Sequence, residues 1–147
     1  MLTTFYGVTR ATIDVDVSDA RGTSLAEIAR RAGKGSPLHE RHHAYVDIVT
    51  VADVPDAYET RLLDMRITGL ARLKLLAFER HDLALAKLAR NTDRDREDLI
   101  ALARGPGLDA HVLQTRYREE LRAKLGRPER EDLTLSLWIE IIQEVSG

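Results

Sequence analysis

The sequence predicts an α+β fold, a small mixed β-sheet with flanking helices followed by a C-terminal helical region. Residues 11–17 and 44–51 are short runs rich in β-branched and other apolar residues, the signature of strands. From about residue 80 the chain becomes dense in Leu, Ala, Arg and Glu, which favour helix. The change divides the 147 residues into an α/β core over 1–78 and a helical region over 79–147 expected to pack on it.

The elements follow in order. In "TRATIDVDV", Thr12, Asp14 and Asp16 alternate with Ile13, Val15 and Val17, so one strand face is polar and the other apolar. Thr23 and Ser24 offer caps for a helix through "LAEIARRAG", which Gly33 should stop. "KGSPLHERHH" reads as a loop, and 44–51 as a second strand with Asp47 embedded among Val46, Ile48 and Val49. "RLLDMRIT" reads as a third strand. "LARLKLLAF" fits strand or helix, and a strand leading into the next helix is the choice here. Helices are then expected over 80–89, 93–104, 108–125 and 132–145, broken by "GPG" at 105–107 and by Gly126 and Pro128. On the last helix Leu133, Leu137, Ile141 and Val145 form an i, i+4 stripe flanked by Trp138 and Ile142, read as core or partner contact.

Composition excludes several classes. A net charge of −2 provides no global basic field for nucleic acid. The absence of cysteine rules out disulfides and thiolate metal sites. No stretch is long and apolar enough to span a membrane and no signal peptide opens the chain, so a cytoplasmic location is expected.

Two constellations can carry chemistry. Asp14 and Asp16 share a strand face with Cα atoms about 6–7 Å apart by strand rise. Like charges so placed repel unless a cation lies between them, and Mg²⁺ favours carboxylate oxygens together with phosphates. Asp47 would supply a third ligand if the two strands are neighbours. A simple solvated sheet face is the competing reading. The second constellation is "HDLALAKLARNTDRDREDL", where Lys87 lies among apolar residues and Asp95 and Asp98 share a helix face. As a phosphate contact, Lys87 would be replaceable by Ala at little cost in stability. The competing reading is a salt-bridged surface helix with Asp93 as its N-cap. The histidines of "HERHH" have no helix or strand register that would support a zinc site.

"YGVTRATIDVDV" resembles the first active-site strand of the nucleotidyltransferase superfamily. It is most similar to small bacterial nucleotidyltransferase-like proteins with "G-x-x-R-A-T-x-D-x-D" and a later acidic residue, here Asp47 in "AYVDIV". "DLALAKLARNTDRDREDL" and the tail "RYREELRAKLGRPEREDLTLSLWIEII" also look like that family, whose broader relatives include AbiE-type toxin nucleotidyltransferases. The resemblance implies a nucleotidyltransferase-type sheet. Asp14, Asp16 and Asp47 would bind Mg²⁺ or Mn²⁺, Arg10, Thr12 and Lys87 would contact the nucleotide, and Asp95 would join the catalytic network. It further implies a nucleoside triphosphate substrate, a tRNA or protein acceptor and a cognate antitoxin as partner. A catalytically inactive binding module on the same fold is the alternative. The family's Gly-Gly or Gly-Ser should lie about eight residues before Gly7, upstream of Met1, so these residues alone are expected to bind nucleotide weakly.

Overall fold

A computed structural model describes residues 14–17, 19–20, 22–49, 53–66 and 74–146. The architecture is α+β, with helices and two small two-stranded sheets. The chain divides into two compact units, the second beginning at Asp53.

The first unit carries β1 (Asp14–Val17), α1 (Leu25–Ala32), α2 (Pro37–His42) and β2 (Tyr45–Ile48). β1 and β2 pair in parallel, Asp14 opposite Tyr45 and Asp16 opposite Asp47, and the two helices form the crossover that parallel pairing requires. α1 starts where the Ser24 hydroxyl accepts the Glu27 N–H, and Arg30 and Arg31 in its last turn complement the helix dipole. Gly33 ends it with an N–H to the Ala29 carbonyl. A Cβ at Gly33 would lie 2.3 Å from that carbonyl oxygen, so only glycine fits. The loop expected through "KGSPLHERHH" is instead partly helix. Ser36 caps α2 by accepting the His39 N–H, and Pro37 stands in its first turn, where proline's fixed φ suits a helix start. His43, at φ 53°, closes it in the left-handed region.

In the second unit a 3₁₀ turn (Tyr58–Arg61) precedes β3 (Leu63–Asp64), which pairs antiparallel with β4 (Leu76–Ala77). Both strands lie inside the runs read as strand from sequence. The helices are α3 (Arg80–Leu88), α4 (Asp93–Arg104), α5 (Ala110–Arg116) and α6 (Pro128–Ser146). Their shared core includes Leu85, Leu88, Leu99, Leu102, Leu113, Tyr117, Leu121, Trp138 and Ile142.

Two helix expectations need correction, and a third is narrowed. The span 108–125 is not one regular helix: α5 passes into a π turn (Tyr117–Leu121) and then a 3₁₀ turn (Arg122–Lys124). The wider turn keeps Tyr117 and Leu121 both buried while the Tyr117 hydroxyl reaches Asp132 at 2.7 Å. Pro128 does not merely stop the preceding helix but begins α6, four residues before the expected start. Finally, the 133/137/141/145 row, read as core or partner contact, is not core at Leu133 and Leu137. Glu131, Thr134, Leu135, Trp138 and Ile142 are buried, whereas Leu133 is 65% and Leu137 49% exposed. Ile141 and Val145 lie half-buried at the edge of the core.

Candidate functional site

In the first unit, parallel register sets Asp16 beside Asp47 on neighbouring strands. Paired residues of adjacent strands project to the same face, with strands about 4.8 Å apart. Both carboxylates are exposed, and among the described residues neither meets a cation. Asp14 is two positions earlier on β1, where only its backbone is described. Arg10 and Thr12 lie outside the described residues. The donor set is hard oxygen, which suits Mg²⁺ or Mn²⁺ rather than softer metals. Among the described residues no three His, Asp or Glu side chains are grouped as a metal site. His39 is engaged locally: its Nδ1 accepts the Gly35 N–H at 3.0 Å, and its ring meets Tyr45 edge-on at 5.1 Å between centroids.

The second unit brings Lys87, Asp95 and Asp98 together. The Lys87 ammonium donates to Asp98 at 3.0 Å and to Asp95 at 3.4 Å. Asp95 is wholly buried and also accepts from Arg90 at 2.5 and 2.9 Å and from the Thr92 hydroxyl at 2.7 Å. Burial acts to raise its pKa, but hydrogen bonds from Arg90 and Thr92 and the charge of Lys87 outweigh that and hold it well below the usual carboxylate range. Thr92, not Asp93, caps α4. Its side chain accepts the Asp95 N–H and Asp95 returns a bond to the Thr92 N–H, a capping box that a Thr three residues before an acid allows. Asn91, at φ 44°, turns the chain between α3 and α4 and accepts the Trp138 indole N–H at 3.1 Å. Lys87 is therefore largely buried and ion-paired, in keeping with the salt-bridged reading of this stretch.

A further charge network escaped the sequence reading. Asp82, wholly buried on α3, takes Arg61 through 2.8 and 3.0 Å bonds and Arg116 at 3.1 Å. Arg61 also donates to Glu120 at 2.8 Å, and Arg116 to Glu79. His81 Nε2 accepts the Asp109 N–H at 2.9 Å, which leaves Nδ1 to donate to Glu79 at 2.7 Å. Burial pushes Glu79 upward, but its bonds from His81 and Arg116 prevail and bring it down to about 2. One signal was available: Asp82 lies three residues before Leu85, in register with the core side of α3.

A family model described as a nucleotidyltransferase of unknown function (DUF6036) matches residues 2–145, and the chain belongs to that family. No curated protein and no solved structure matches it.

Proposed function

We propose that this member of the DUF6036 nucleotidyltransferases moves a nucleotide from a nucleoside triphosphate to a hydroxyl of RNA or protein. The acceptor oxygen attacks the α-phosphorus, the bond to pyrophosphate breaks, pyrophosphate leaves, and the hydroxyl proton passes to solvent. Asp14, Asp16 and Asp47 would hold Mg²⁺ or Mn²⁺, which when bound would supply neutralisation of phosphate charge and a lower pKa for the attacking hydroxyl. The supporting observation is the Asp16–Asp47 register, which sets the D-x-D strand beside a third acid. In this reading the acceptor is a tRNA end and the partner an antitoxin, which is what the resemblance of the strand and helix motifs implies.

Lys87 gives two of its three ammonium donors to Asp95 and Asp98, which leaves one for a phosphate. Its pairing with Asp95 and Asp98 favours a structural role and lends weight to the second reading, a non-catalytic module. Calorimetry with nucleoside triphosphates and Mg²⁺, joined to transfer of an α-labelled nucleotide, tests both. Binding and transfer that require metal and vanish in Asp47→Asn support the enzyme. Metal-dependent binding that persists in Asp47→Asn removes the site.

A further inference from the structure

We propose that α6 is a two-fold docking surface on which a second copy of this chain packs antiparallel. This goes beyond the nucleotidyl-transfer reading and does not depend on it. Leu133 and Leu137 are the two exposed large apolar side chains of the helix, while its opposite face is spent on Leu135, Trp138 and Ile142. Arg130, Leu133, Leu137, Glu140 and Glu144, all exposed, recur at 3-4-3-4 spacing. That spacing defines a coiled-coil seam, apolar at its centre and charged at its ends.

The order of charges selects the occupant and its direction. In an antiparallel pair with its two-fold axis beside residue 135, Leu133 of one copy meets the partner's Leu137. Arg130 then meets the partner's Glu140, and the same pair recurs on the other side of the axis. The surface is thus self-complementary, as an isologous contact demands. A parallel pair would set Arg130 against the partner's Arg130 and Glu140 against the partner's Glu140, which is repulsive. Among the described residues the Arg130 guanidinium donates to the Ala89 carbonyl at 3.4 Å, a long bond to exchange. Four leucines bury less than the roughly 1,200 Å² at the lower end of stable interfaces, so association is weak and concentration-dependent.

Sedimentation velocity from micromolar to near-millimolar protein tests it. The expected result is a monomer–dimer equilibrium that Leu137→Glu weakens about tenfold or more, with far-UV circular dichroism and urea midpoint unchanged because Leu137 is exposed. Arg130→Glu should weaken the dimer, and Arg130→Glu with Glu140→Arg should restore it, which decides the matter even if Leu137→Glu fails to fold. A monomer at every concentration overturns the proposal. So does a dimer indifferent to Leu137→Glu, or one that the double charge exchange does not restore.

Discussion

Asp47 stands exposed on β2 opposite Asp16, whereas Asp82 is wholly buried between Arg61 and Arg116. The same side chain meets opposite environments in the two units, and the difference separates two uses of charge. A buried carboxylate persists only when its partners repay the loss of water, so its contribution is to the integrity of the fold. An exposed pair of like carboxylates contributes little to folding and keeps its lone pairs for a ligand. By this measure exposure favours the D-x-D strand as the proposed site, and "LARNTDRDREDL" is first of all a helix junction.

The largest expected effect comes from breaking the buried side. Asp82→Ala would remove the buried acceptor that Arg61 and Arg116 share, leaving them Glu120 and Glu79, and should cost about 3 kcal/mol in urea unfolding. A cost below about 1 kcal/mol would mean that Glu120, Glu79 and water suffice for the two arginines, and that the contrast between the units is weaker than drawn. Lys87→Ala comes next, at about 1–3 kcal/mol, because Asp95 keeps Arg90 and Thr92 while Asp98 loses the ammonium at 3.0 Å. Nucleotide affinity measured on the folded variant sharpens the comparison: if it falls while stability holds, Lys87 belongs with the phosphate after all.

Acid should act on the helical unit in a defined window. The folded pKa of Glu79 is depressed to about 2 from 4.5, so its contribution is complete above about pH 4.5 and is lost as pH falls toward 2. Urea midpoints across that range should decline, and Glu79→Gln should flatten part of the slope. An unchanged slope would move the acid sensitivity to other carboxylates. Smallest for stability is Asp47→Asn, expected within about 0.5 kcal/mol of the parent while abolishing metal-dependent nucleotide binding. A strongly destabilised Asp47→Asn would place this carboxylate with the structural ones.

Local pattern alone was enough for much of this protein. The strand at Asp14–Val17, the cap at Ser24, the stop at Gly33 and the span of α4 were legible because strand period, capping and chain breaks depend on near neighbours. So was the D-x-D spacing. Even some local signals were outweighed: the Ser36–Pro37 start of α2 was hidden by a stretch rich in His, Arg and Lys that resembled a loop. What the tertiary structure decided is pairing across distance. Asp16 meets Asp47 only through the parallel register, and Arg61 finds Asp82 and Glu120 from 21 and 59 positions away. On α6 the sequence contained two apolar rows, and packing chose the one with Trp138 and Ile142 for the core, leaving Leu133 and Leu137 outside. Periodicity specifies that a helix has an apolar side, but which row is buried depends on the shape and volume of the elements that pack against it.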